Sequence, residues 1–119
     1  MRVLVCDDER EIRLLYRSAF ELAGTEVSVA SDGAEAVDVA ELVHPELVVL
    51  DLMMPRTNGF AALPRLHDRA PDAHVVVVTA YPSPENLALA AQLGAEECFD
   101  KLEFLGRIPE LVNRYALVT

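Results

Sequence analysis

The order of apolar and amphipathic stretches in this chain predicts an α/β domain, an open, doubly wound parallel sheet with helices on both faces. Two observations carry that prediction. A strand-like stretch followed by a helix-like one recurs five times in 119 residues. Four of the strand-like stretches lack a polar face, as in Val3-Leu4-Val5-Cys6, Leu47-Val48-Val49-Leu50 and Val75-Val76-Val77-Val78, which marks parallel strands covered on both sides. Right-handed crossovers then wind such a sheet in both directions, and ligands bind outside its carboxyl strand ends.

Taken in order, residues 2–6 read as a short buried strand. Residues 9–23 read as a helix, since Ile12, Leu15, Tyr16, Ala19, Leu22 and Ala23 recur on one face. Asp8 is placed to cap it, Glu9 and Glu11 suit its first turn, and Gly24 stops it. Residues 26–30 alternate, with Val27 and Val29 on one side, so this strand has a more exposed face. Ser31-Asp32-Gly33 is a turn. A helix follows over 33–43, with Ala36, Val37, Ala40 and Val43 inward, and Pro45 ends that element. Residues 47–51 are a fully apolar strand ending in Asp51. Residues 55–59 form a loop and a helix follows near 59–69, where Pro64 predicts a kink or a late start. Pro71-Asp72 is a turn and residues 74–79 a valine-rich strand. A small-residue helix spans 84–93, ended by Gly94, and the last strand is 96–99. A final helix runs to about residue 117, with Pro109 expected in its first turn.

The whole chain, residues 1–119, is expected to be one domain with one sizeable core. Its composition is 52% hydrophobic, which argues for a compact fold rather than disorder. No apolar stretch approaches the roughly 18 residues of a membrane span. The formal charge of −10 argues against direct nucleic-acid binding, which draws on phosphate contacts by Lys and Arg, and against anionic lipid. Cys6 and Cys98 sit in apolar runs without CxxC spacing, as buried free thiols do in a reducing cytoplasm. With His44, His67 and His74 scattered and read as surface residues, no zinc site is expected.

The residues that end the strands carry the chemistry. Asp7 and Asp8 follow the first strand, Asp51 ends the third, Thr79 ends the fourth, and Lys101 follows the fifth. If these ends lie side by side, three carboxylates meet and repel one another. A hard divalent cation relieves that repulsion, and Mg²⁺ takes a few carboxylates, keeps several waters and accepts a phosphate oxygen. A lysine ammonium and a threonine hydroxyl complete a pocket suited to a phosphoryl group, which an aspartate can itself accept covalently.

These residues resemble the receiver domain of a two-component response regulator, along the whole chain: VCDDE (residues 5–9), LDLMMPRTNG (50–59), VVTAY (77–81) and GAEECFDK (94–101). The resemblance implies a flavodoxin-like (βα)5 fold with strand order 2-1-3-4-5. It implies Asp51 as phosphoacceptor, and Asp8, Asp51 and the Met53 carbonyl as Mg²⁺ ligands, with Asp7 acting through a bound water. Lys101 would pair with Asp51 and then with the phosphoryl oxygens. Thr79 would bond the phosphoryl group and draw in the loop after the fourth strand, biasing an equilibrium between two packings. Met53 and Tyr81, two residues beyond Asp51 and Thr79, would cover the acyl phosphate and tune its hydrolysis.

The implied partners are a histidine kinase or phosphotransfer protein, and an effector met through the face of the fourth helix, last strand and last helix. Arg10, Arg13 and Arg17, on the open side of the first helix, are a solvated face or a docking site for the phosphoryl donor. Homodimer formation is left open. The expected setting is cytoplasmic, and the expected role that of a switch rather than a turnover enzyme. Two positions depart from the family pattern. Cys98 stands where receivers carry Tyr or Phe, and Phe99 cannot replace it, because successive strand residues face opposite sides. Leu102 stands where proline is usual, so a trans bond is expected, a cis one costing about 2.5–4 kcal/mol. These departures leave open a degenerate receiver that binds partners without phosphorylation. A hydrolase of the haloacid-dehalogenase type would want an acid where Met53 stands, and a cap domain for which 119 residues leave no room.

Overall fold

The structure, a computed structural model, describes residues 1–54 and 58–116. Five strands alternate with five helices: β1 (Arg2–Cys6), α1 (Arg10–Leu22), β2 (Glu26–Ala30), α2 (Gly33–Val43), β3 (Leu47–Asp51), α3 (Gly59–Arg69), β4 (His74–Thr79), α4 (Pro84–Gln92), β5 (Glu97–Asp100) and α5 (Phe104–Ala116). The strands form one parallel sheet in the order β2-β1-β3-β4-β5. Residues 55–57 of the expected loop, and the expected helix end near 117, lie outside the described residues.

The pleat of the sheet divides the core in two. Leu4, Val48, Leu50, Val75 and Val77 face α2 and α3, against Ala36, Ala40, Leu63 and Leu66. Val3, Val5, Val49, Val76 and Val78 face α1 and α5, against Phe20, Phe104, Ile108 and Leu111. The central strands are therefore apolar along their whole length, and only residues at their ends can be polar. β2 is an edge strand and only half-buried, as its alternation predicts.

Local signals start and stop the helices. Asp32, Asn58 and Ser83 cap α2, α3 and α4 by accepting from the backbone N–H three residues on, at 2.9, 2.9 and 3.2 Å. Gly59 lets α3 start directly under the end of β3: a Cβ there would lie 2.6 Å from the carbonyl oxygen of Asp51. Gly94 ends α4 at φ +105°, and a Cβ there would run into the His67 ring.

Several local expectations are corrected. Asp8 does not cap α1; Glu9 occupies the cap position without a side-chain bond, and Asp7 Oδ1 accepts from the Glu9 N–H at 2.9 Å. The buried stripe of α1 is Tyr16 and Phe20, whereas Leu15 and Leu22 are 47% and 90% exposed. Two rings fill the space between helix and sheet and turn the leucines outward. Pro64 does not delay α3, and Pro109 lies in the second turn of α5 rather than the first. Both prolines are on exposed faces, where water solvates the carbonyl left without a donor. His67 and His74 are half-buried within elements, not in surface loops; His67 donates from Nε2 to the Gly94 carbonyl at 3.0 Å, and His74 pairs with Glu96 at 2.7 Å.

Candidate functional site

The register brings the polar strand ends together. Cys6 lies opposite Leu50, so Asp7 and Asp51, each one residue further on, leave adjacent strands side by side. Thr79 lies opposite Asp100 on the next strand pair, which puts Lys101 just past the threonine. Asp7, Asp51 and Thr79 are buried, at 1%, 3% and 0% exposure, and Asp8 opens to solvent. One carboxylate oxygen from each of Asp7, Asp8 and Asp51 falls within a cluster less than 4.8 Å across.

A single ammonium answers these acids. Lys101 Nζ lies 3.0 Å from Asp7 Oδ2, 3.2 Å from Asp51 Oδ2 and 3.3 Å from Glu9 Oε1. The contact with Asp7 is an ion pair by distance but lacks the alignment of a hydrogen bond. That leaves Asp7 Oδ2 a buried side-chain oxygen with no hydrogen-bond partner among the described residues. Asp51 Oδ1 accepts from the Met53 N–H at 3.0 Å. Thr79 Oγ1 accepts from the Tyr81 N–H at 3.0 Å, and no acceptor for its own proton is found among the described residues.

The charges strain against one another. Burial, opposed by the Met53 N–H and reinforced by the Asp7 charge, pushes the Asp51 carboxyl up to about 6 despite the lysine beside it. Burial alone would lower the Lys101 ammonium, but contact with Asp7 and the charges of Asp51 and Asp7 hold it above its ordinary range. Burial, then Asp7 and Asp51, push the Cys6 thiol up, and burial does the same for Cys98, so neither is a poised thiolate. Three acids and Glu9 share one amine and leave excess negative charge, with Asp7 Oδ2 met by the Lys101 ammonium at 3.0 Å but by no aligned hydrogen bond among the described residues. This oxygen-only donor set, partly open to water at Asp8, fits a hard divalent cation.

A cleft of about 640 Å³ opens beside the acids, lined by Asp8, Leu52, Met53, Met54, Asn58, Phe60 and Asn86. Met53 is 51% exposed at this cleft, and Tyr81 is 65% exposed beyond Thr79. Cys98 packs towards the α2/α3 core, while Phe99 faces the other, its ring 5.3 Å from that of Phe104 and 5.3 Å from the Arg107 guanidinium. Phe99 therefore does not occupy the place of Cys98, as the pleat requires. The bond between Lys101 and Leu102 is trans, as expected.

Three participants escaped the sequence reading. Glu9, read only as a first-turn acid, reaches Lys101. Arg13 Nη1 donates to the Asp7 carbonyl at 2.8 Å. Tyr16, read as core, sets its hydroxyl 3.5 Å from the Lys101 carbonyl, with its own proton held up to about 12 by burial and by Asp7. The consecutive Asp7-Asp8-Glu9 run was a signal for the first; the other two depend on α1 packing, which no local pattern encodes.

Comparison with known proteins agrees with this geometry. The chain belongs to the response regulator receiver domain family, whose sequence model matches residues 3–113. It is 34% identical over 118 residues to the Response regulator MprA of Mycobacterium avium (strain 104), covering 96% of this chain and 52% of that protein. It is likewise 34% identical over 117 residues to the Probable transcriptional regulator ycf27 of Cyanophora paradoxa, covering 95% of this chain and 48% of that one. The chain thus spans about half the length of the curated relatives it matches. Among solved structures, the receiver domain of the Francisella response regulator 1452 superposes with a TM-score of 0.89 at 28% identity, over 99% of this chain and 98% of that one. The chemotaxis protein CheY4 of Vibrio cholerae gives 0.86 at 26% identity, over 96% and 97%. The flavodoxin-like fold and strand order expected from the resemblance are those observed.

Proposed function

We propose that this domain, taking residues 1–119 as a unit, is a phosphoryl-accepting switch in which Asp51 takes the phosphoryl group of a partner's phosphohistidine. The observation that carries the reading is the single ammonium of Lys101 within 3.2 Å of two buried carboxylates, Asp7 and Asp51. Such a group offsets charge on Asp51 before transfer and on the phosphoryl oxygens after it.

Asp8, Asp51 and the Met53 carbonyl would hold Mg²⁺, with Asp7 acting through water. When bound, the ion neutralises the acids and draws charge from the phosphoryl oxygens. An Asp51 carboxylate oxygen attacks phosphorus, the bond from phosphorus to the histidine nitrogen breaks, and the imidazole leaves with the electron pair. Lys101 then turns to the phosphoryl oxygens. The Thr79 hydroxyl donates to the same group, drawing the loop of residues 80–83 inward and favouring a second packing of α4, β5 and α5. Met53 and Tyr81 cover the acyl phosphate and slow the approach of water. With Cys98 in place of an aromatic ring, the response of β5 is carried by smaller side chains.

The phosphoryl donor is a histidine kinase or phosphotransfer protein, and an effector reads the α4–β5–α5 face. Exposed Leu14, Leu15 and Leu22 beside Arg10, Arg13 and Arg17 make α1 a docking surface for an apolar, acidic-rimmed helix of the donor. Intact-mass measurement after incubation with a small phosphoryl donor tests the reading. Gain of one phosphoryl group, lost in EDTA and lost in Asp51→Asn, is the expected result. No gain in the presence of Mg²⁺ would leave a phosphorylation-independent binding module instead.

A further inference from the structure

We propose that Asp100 is a positioning residue for Lys101, its carboxylate fixing the turn after β5 so that the ammonium reaches the buried acids. A lysine ammonium rides on a flexible four-carbon stem, so its placement depends on where its backbone is held. Four contacts hold that backbone. The Lys101 N–H donates to the Thr79 carbonyl at 2.9 Å, which continues the β4–β5 ladder by one residue. The Lys101 carbonyl lies 3.5 Å from the Tyr16 hydroxyl, at the outer limit of a hydrogen bond. Directly after it, the Leu102 N–H donates to Asp100 Oδ1 at 2.9 Å, and the Glu103 N–H donates to the Asp100 carbonyl at 3.0 Å.

Asp100 therefore closes the turn with its side chain and its main chain together, as aspartate does where a chain must bend without packing to guide it. Packing does not guide it here. Leu102 is 94% exposed and Glu103 is exposed, and α5 begins only at Phe104. Of the four tethers, one belongs to the sheet ladder, one is long, and one is a main-chain bond that any residue at position 100 could accept. The Asp100 carboxylate is the short side-chain contact that fixes the direction in which the chain leaves Lys101. On the far side of that residue, Nζ must sit within 3.2 Å of both Asp7 and Asp51.

The role rests on the proposed phosphoryl transfer, and the test separates the two. Initial rates of Asp51 phosphorylation by acetyl phosphate in saturating Mg²⁺ are compared for the wild type, Asp100→Ala and Asp100→Asn, each also in a Lys101→Ala background. Loss of the turn displaces a transferring-charge partner by an ångström or so, and the rate in Asp100→Ala is expected to fall about tenfold. Asp100→Asn keeps the Oδ1 acceptor and is expected to stay within about twofold of the wild type. In the Lys101→Ala background, Asp100→Ala is expected to change nothing further, because its effect passes through the lysine. The Lys101 side-chain ¹⁵Nζ resonance, sharp in the wild type and in Asp100→Asn, is expected to broaden in Asp100→Ala. A wild-type rate in Asp100→Ala, an equal loss with and without Lys101, or no recovery in Asp100→Asn would overturn the proposal. If the wild type takes up no phosphoryl group, the transfer reading falls, and the ¹⁵Nζ resonance alone decides the role of Asp100.

Discussion

At the amino end of the sheet, Arg2, Glu46, His74 and Glu96 meet in partly exposed pairs, whereas at the carboxyl end Asp7, Asp51 and Thr79 are buried around one lysine. The first group is satisfied. The Arg2 N–H donates to Glu46 at 3.2 Å, its guanidinium donates to the His44 carbonyl at 3.1 Å, and His74 meets Glu96 at 2.7 Å. The second is short of positive charge: Asp7, Asp51 and Glu9 all draw on the one ammonium of Lys101, and Asp51 is pushed up to about 6 by burial. Both ends close off the same strands, so sheet formation explains neither pattern. A domain that needed only to fold would place charge as the amino end does, since surface pairs cost little and contribute about 0–1 kcal/mol. Burying acids short of partners opposes folding and is retained where a ligand completes the set.

The largest expected effect probes the carboxyl end. Lys101→Ala should lower the initial rate of phosphoryl uptake by about 10²- to 10³-fold, the usual cost of losing a donor aimed at developing charge. Stopped-flow or quench measurements with a small phosphoryl donor check this, and a rate within about threefold of the wild type would erase the contrast between the two ends.

A smaller effect concerns acidity. In EDTA, the Asp51 carboxyl titrates near 6 when folded and near 3.8 when unfolded. Between those values the folded state holds a proton that the unfolded state has lost, so folding stability falls as pH rises from about 4 to about 6. Asp51→Asn removes that loss. The stability advantage of the variant over the wild type in urea melts should therefore grow across this window and level off above it. An advantage that is constant with pH would contradict the burial of an unfulfilled charge at Asp51.

The smallest effect is expected at the amino end. Glu96→Gln removes the charge facing His74 at a pair whose side chains are 29% and 42% exposed, and should cost less than about 1 kcal/mol. A larger loss in thermal or urea melts would show that the amino end, too, depends on its charges.

The acid site was legible in the sequence because parallel strands are apolar until they end. Asp7, Asp51 and Thr79 each break an apolar run, Lys101 comes two residues after another, and the topology of an open sheet brings such strand ends to one edge. The helices were legible in position but less so in facing. α1 offers two adjacent apolar stripes, and the one that packs, Tyr16 and Phe20, is chosen by the ring of Phe104 across the core, 5.0 Å from Tyr16. Leu15 and Leu22 follow from that choice. The Asp100 turn and the Arg13 and Tyr16 contacts were hidden for the same reason: each depends on where one side chain ends in space, not on a period or a composition.

Metal binding decides whether the acids at the carboxyl end are a ligand set or a folding accident. The most direct measurement is a Mg²⁺ titration followed by calorimetry or by backbone NMR shifts, with and without beryllofluoride as a phosphoryl mimic. Saturable Mg²⁺ binding, tightened by beryllofluoride, with shifts spreading from residues 7, 8 and 51 to Thr79 and α4 and vanishing in Asp51→Asn, is the predicted result. Binding that survives Asp51→Asn unchanged, or beryllofluoride without effect in the wild type, would contradict it.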